Sequence, residues 1–389
     1  MRTIASDHTL FNECIEAFRS SGLISPSFMG MPGESYLLTD FQIVNEWELP
    51  NAIISASQRV DMPGPNAGFV SVVTQKDGGI MFGHHLFSTA LASIVSFATG
   101  RLCKSPRDDF SNFMSMEADI GELALTHPIR HAGPGATDTN LSTAALNKHY
   151  VSTCNMVGKL LAIDKSKYIK TMQAIRLLHL AMINKKEDFG LSYLLIISAI
   201  EAIAQSAIKK KTMEKKHALE DQWSNRAKKE SDFAEIFNAY KETSSRNSYL
   251  TDRYVAFIHN YCPTSTWESI IPEHNQDAIE RDKERRESYG WITAKESHRP
   301  VRSAFEIYPS DLSQNELTQI LKSSYKHRSS FVHEGRQPPH KTPNSSNRFF
   351  DELIKYSADN GDQKLETEML PTHALMLAIA RNSITNWIG

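Results

Sequence analysis

Ser313-Gln-Asn-Glu316-Leu-Thr-Gln-Ile-Leu-Lys-Ser-Ser-Tyr325-Lys-His-Arg328-Ser-Ser-Phe-Val-His333-Glu-Gly335 is punctuated at both ends. Ser313 followed by Glu316 is a capping-box pattern, Gly335 is a C-terminal stop and Pro338-Pro339 forbids continuation, so residues 313–334 should be helical. Leu317, Leu321, Phe331 and Val332 recur at helical spacing, and seven residues beyond Leu321 the stripe lands on Arg328. A guanidinium does not lose its proton, so an arginine on a surface meant for burial needs a partner. Two readings stand: a paired, functional arginine, or one whose head snorkels to water beside apolar neighbours.

His333 falls in the last turn, where exposed carbonyls favour an imidazolium, and that suits a group exchanging protons near neutral pH. The blander reading is a histidine that caps those carbonyls. Arg328 and His333 lie about 140° apart around an ideal helix. Convergence on one ligand therefore requires the long arginine to reach round, or a second subunit to complete the site.

A second anomaly sits upstream. Between Tyr193 and Gln205 apolar side chains point in nearly every direction, the mark of a helix buried within a bundle, yet Glu201 lies inside it. A buried carboxylate must find a partner or take up a proton. The economical expectation is that Glu201 meets Arg328; without catalytic duty the two would be a structural ion pair.

Working outward, 389 residues suffice for a sizeable core and predict two domains. Pro and Gly cluster at residues 127–140, which sets the boundary. Before it, residues 35–43 and 68–74 read as strands around the turn Asp77-Gly78-Gly79, with one helix over residues 85–99 stopped by Gly100. After it, helices are expected near 141–163, 166–184, 189–210, 213–243, 248–260, 313–334, 346–358 and 368–387. The proline-punctuated, charged segment 263–309 is expected to be an insertion or a solvated helix rather than core. The fold class is therefore α+β: a strand-rich mixed sensor or regulatory domain over residues 1–140, then an all-α helical bundle over residues 141–389.

The net charge of −2 conceals an uneven distribution. Residues 150–350 carry 31 Lys and Arg against 24 Asp and Glu, whereas residues 1–149 carry 9 against 15. A basic middle suits a polyanion such as RNA, and Lys209, Lys210, Lys211, Lys326 and Arg336 are candidate phosphate contacts; solvated helix faces are the alternative. Cys14, Cys103, Cys154 and Cys262 show no zinc or redox spacing, and the N-terminus lacks the pattern of a secretory signal. Glu201 and Gln205 interrupt the apolar run 191–208, so no membrane span is expected. A cytoplasmic protein follows. His84-His85 and His127/His131 do not make a convincing metal set, and Gly133-Pro-Gly135 lacks the Lys-Ser/Thr of a phosphate loop, so no metal or cofactor is expected. Tyr36, Phe41, Trp47 and Phe69 could stack bases, although core packing explains them as well.

A helical region with Glu201 in an early core helix, followed much later by Arg328-x4-His333 at a helix end, resembles the HEPN superfamily. The wording from Tyr325 to Gly335 is closest to its Apea-like branch. The resemblance spans roughly residues 150–387. It implies metal-independent RNA cleavage in prokaryotic defence, abortive-infection or toxin systems, with two copies pairing so that both motifs face a shared cleft. Arg328, His333 and Glu201 would be the catalytic set, supported by Tyr325 and Ser329. The family commonly has Asn, Asp or His where Ser329 stands, and Gly335 replaces the tyrosine found in the adenylylated branch, so that modification is not implied. A trigger, phage-derived or regulatory, would act at residues 1–140. The alternatives are a catalytically silent RNA-binding protein and a protein-interaction regulator.

Overall fold

The computed structural model describes residues 10–19, 34–61, 67–76, 84–106, 129, 141–214, 217–246, 248–271, 276–290, 306–336, 347–359 and 362–389. Asp77-Gly78-Gly79, His127, His131, Gly133-Pro-Gly135, Lys215 and Lys216 lie outside them. The described chain is α+β: a small antiparallel sheet in the N-terminal region and a mostly helical remainder.

The sheet contains β1 (Glu34–Thr39), β2 (Trp47–Glu48), β3 (Ala52–Ile54), β4 (Gln58–Asp61), β5 (Ala67–Gln75) and β6 (Cys103–Lys104). Its order is β2-β3-β5-β1-β6, with β4 also pairing β5. Successive side chains of a strand face opposite sides, and β1 follows that rule. Leu37 enters the main core, while Tyr36 and Leu38 join Val70 in a separate cluster on the other face. Tyr36, Phe41, Trp47 and Phe69 are all buried, which is core packing and not a stacking platform.

Two helices accompany this sheet. The first, α1 (Phe11–Arg19), buries Cys14, Ile15 and Phe18 at i, i+1 and i+4; Arg19 donates to the Ile163 carbonyl at 2.6 Å. The second, α2 (His84–Thr99), is buried on almost every side, as expected of a helix with apolar and small residues all round. Gly100 ends it with φ +75, and Arg381 lies so close that a Cβ at Gly100 would overlap its guanidinium. Arg381 donates to the Phe97 and Ala98 carbonyls, closing the helix C-terminus.

The helical region comprises α3 (Thr143–Ala162), α4 (Lys165–Asn184), α5 (Phe189–Ala207), α6 (Glu220–Ala227), α7 (Ser231–Arg246), α8 (Leu250–Tyr261), α9 (Trp267–Ile270), α10 (Gln276–Ser288), α11 (Gln314–Glu334) and α12 (His373–Ile388). Ser142, Asp164, Asp188, Ser313 and Thr372 cap α3, α4, α5, α11 and α12 through side-chain oxygens. Helix α2 packs on α3, α4 and the sheet, so one apolar cluster runs from Cys14 to Ile388. His179 on α4 pins that junction. Its Nε2 meets the Cys103 carbonyl at 2.7 Å, which makes Nε2 the donor and leaves Nδ1 to accept from Arg176 at 3.1 Å, with the Ser93 hydroxyl 2.9 Å away.

Three expectations need correction. Residues 346–358 are not helical: β7 (Phe350–Asp359) and β8 (Asp362–Pro371) form an antiparallel hairpin packed on α11, so the C-terminal region is not all-α. The single helix expected over 213–243 is broken into α6 and α7, folded together by Trp223 edge-on to Tyr240 at 5.3 Å and by Arg226 over Phe233 at 4.6 Å. The insertion 263–309 is not solvated throughout, because Trp267 is fully buried and donates to the Cys262 carbonyl. Its charged part, α10, does behave as a solvated helix, and its Glu284 accepts from the Thr143 N–H at the start of α3.

Among the described residues one helix, α5, is long and apolar enough to cross a membrane. It lies in the core, packed by α4, α8, α11 and α12.

Candidate active site

Helix α5 sets one half of the site. Asp188 accepts from the Leu191 N–H at 2.9 Å at its start, and buried Arg253 on α8 closes its end, donating from Nε to the Ile208 carbonyl at 2.9 Å and from Nη2 to Gln205. With both ends fixed, Glu201 is held inside the bundle at 6% exposure.

Helix α11 brings the other half. Its capping box forms as the sequence requires: Ser313 Oγ accepts from the Glu316 N–H while Glu316 accepts from the Ser313 N–H. It crosses α5 and α8 and places Arg328 against Glu201, Nη2 to Oε2 at 3.2 Å. The carboxylate is nearly buried, whereas about a quarter of the arginine side chain (24%) meets water. Gln205, one turn along α5, donates to the other oxygen of Glu201 at 3.2 Å. The Arg328 contact is an ion pair and not an aligned hydrogen bond, since Glu201 Oε2 and Arg328 Nε are both buried without a hydrogen-bond partner.

Tyr325 forms the floor. The Arg328 guanidinium lies 5.8 Å from its ring centroid, and Tyr254 packs on its far side at 5.4 Å while bonding Ser324. Burial first, and the Glu201 carboxylate second, push the Tyr325 phenol up to about 12. It therefore stays protonated and donor-competent beside the pair. On another face of α11, His327 meets Glu368 of β8 at 3.2 Å and seats the helix on the hairpin.

His333 stands one and a half turns beyond Arg328, exposed. It does not cap the helix. Backbone N–H groups close the helix end, Gly335 bonding Phe331 and Arg336 bonding Ser330, with Gly335 in the left-handed region at φ +66. Among the described residues the imidazole has no partner. Within one chain Arg328 and His333 occupy different faces of α11.

The remaining candidates divide. Ser329 is half-buried beside Arg328, and Lys326 is exposed one turn before Ser330. Arg336 is exposed but pairs with Glu334 at 2.8 Å. Lys209 and Lys211 are exposed and Lys210 half-buried, in and before the 3₁₀ turn Lys210–Thr212 that follows α5. They sit at the same end of α5 as Glu201. Gln205 and Arg253 were not anticipated; Glu201-x3-Gln205 is i, i+4 spacing and was a readable signal.

Among the described residues no three His, Cys, Asp or Glu side chains gather as metal ligands. No family model, curated protein or solved structure matches the chain.

Proposed function

We propose that the chain is a metal-independent RNA endonuclease with a HEPN-like helical region, acting as a homodimer. The observation that carries this reading is the Glu201–Arg328 pair, which fixes a permanently charged guanidinium at the rim of the bundle while His333 stands exposed on the same helix. Cleaving RNA through its own 2′-hydroxyl needs a proton acceptor, charge stabilisation at a pentacoordinate phosphorus and a donor to the leaving 5′-oxygen. Glu201 orients Arg328 and cannot saturate its five donors, so N–H groups remain for phosphate oxygens. His333 moves the proton. Lys326 and Lys209 to Lys211 hold the backbone by charge.

One histidine cannot readily serve both ends of the reaction, and the angular offset on α11 keeps it from Arg328. A second copy related by a two-fold axis supplies both needs. Val332, next to His333, is exposed (51%) and would lie in that pairing surface. The sheet-bearing region would then receive the regulatory trigger, and the products would end in 2′,3′-cyclic phosphate.

Expression in a bacterial host tests this reading. Growth arrest with fragmented cellular RNA, relieved by His333→Ala, is the expected result. Normal growth and salt-dependent RNA binding without cleavage would instead favour the silent RNA-binding alternative.

A further inference from the structure

A cleft of about 1470 Å³ opens between the sheet-bearing region and the helical bundle. Neither Glu201, Arg328 nor His333 lines it. His373, which does, bonds Ser192 on α5, nine residues and about 13 Å along the helix from Glu201.

Its walls are cationic. Seven lysines and arginines face three carboxylates, of which Asp40 is already paired with Arg101 at 2.9 Å. Arg381 is committed to helix carbonyls, but Lys148, Lys159 and Lys185 have no carboxylate partner among the described residues. Lys159 donates to the Thr385 carbonyl at 3.4 Å and Lys148 is exposed, so the ammonium groups of this concavity remain available to a shared anion. The surroundings register that field: burial, then Arg101 and Arg381, pull the His149 imidazole down to about 4, and burial also lowers Lys185.

The spacing selects the anion. Lys148, Ser152, Asn155 and Lys159 follow i, i+4, i+7 and i+11 on α3 and form one polar stripe along the cleft. Lys148 and Lys159 are therefore roughly 16 Å apart along the helix axis. No single phosphate contacts both. A ligand with phosphates at separated points and polar sugars between them matches the stripe.

We propose that this cleft binds a short single-stranded oligonucleotide, with phosphates on Lys148, Lys159 and Lys185 and polar groups on Ser152 and Asn155. The site is distinct from the Arg328–His333 region and stands whether or not that region cleaves RNA. In physical terms it couples ligand to fold, because the cleft is walled by both parts of the molecule.

Fluorescence polarisation of a labelled, uncleavable 2′-O-methyl tetranucleotide with the full chain tests the proposal, with ATP and inorganic phosphate as competitors. The expected result is tetranucleotide binding that Lys148→Glu with Lys159→Glu weakens roughly tenfold or more, with a log–log salt slope smaller by about 1.4 for two lost single-strand phosphate contacts. Lys148→Gln alone gives a smaller loss of the same kind. Lys170→Glu, an exposed lysine on α4 outside the cleft, leaves binding unchanged. Equal affinity in the double variant, an equal loss with Lys170→Glu, or ATP competing as well as unlabelled tetranucleotide would overturn it.

Discussion

The Arg328 guanidinium stands 3.2 Å from the Glu201 carboxylate, joining two helices distant in sequence at the one place where each carries a charge on its apolar face. Because Glu201 is nearly buried and Arg328 is not, the two are unequal: removing the arginine strands a carboxylate, whereas removing the carboxylate releases an arginine toward water.

Arg328→Ala should therefore destabilise the fold by about 3 kcal/mol, the low end for a broken buried pair, since Arg328 keeps part of its side chain in water. Adding Glu201→Gln should recover much of that loss. Urea unfolding of the two single variants and the double variant measures the coupling, and strictly additive losses would contradict it.

His149 gives stability a pH dependence. Its folded pKa lies near 4 against about 6.5 unfolded. A lowered imidazole pKa means that the unfolded chain takes up the proton first, so stability is complete above about pH 6.5 and falls between there and pH 4. His149→Gln should flatten the loss between pH 7 and pH 5. If the urea midpoints of variant and parent decline in parallel, the imidazole is not the cause.

Arg253 holds the C-terminus of α5 through charge-assisted bonds to Ile208 and Gln205. Arg253→Met should lower stability by about 2 kcal/mol and loosen the helix that presents Glu201. Hydrogen exchange in residues 201–208 reports it; protection equal to that of the parent would show the cap to be dispensable.

The proposed pairing places exposed Val332 and His333 at a two-fold axis. Sedimentation at micromolar concentration should give a dimer, and Val332→Glu should shift it to monomer while leaving the fold intact. A monomeric parent whose cleavage rises with the first power of protein concentration would remove the composite site.

The helices that frame the site were legible because their signals are local. Ser313, Glu316 and Gly335 set the ends of α11, and the all-round apolar pattern marked α5 as a core helix. The Glu201–Arg328 contact followed from burial alone: two charges on two apolar faces have few other solutions. The hairpin β7–β8 was misread because Glu352, Leu353, Lys355 and Ala358 favour helices in isolation, and pairing with β8 and packing on α11 override that preference. Asn360-Gly361 between the two runs was the available clue. Nothing between residues 213 and 243 is Gly or Pro, so the break between α6 and α7 had no local mark; it comes from Trp223 and Tyr240 packing on each other. The cleft of Lys148 and Lys159 is not legible in the sequence for a related reason. Its stripe lies on one helix, but its anion-binding character depends on walls supplied by α4 and by the sheet-bearing region.

The most direct measurement is the end chemistry of RNA incubated with the purified full chain in excess chelator. The account predicts new 5′-hydroxyl and 2′,3′-cyclic phosphate ends, absent when the scissile ribose is 2′-deoxy and absent with Arg328→Ala or His333→Ala. Cleavage that requires Mg²⁺, leaves 3′-hydroxyl ends or persists in both alanine variants would contradict it.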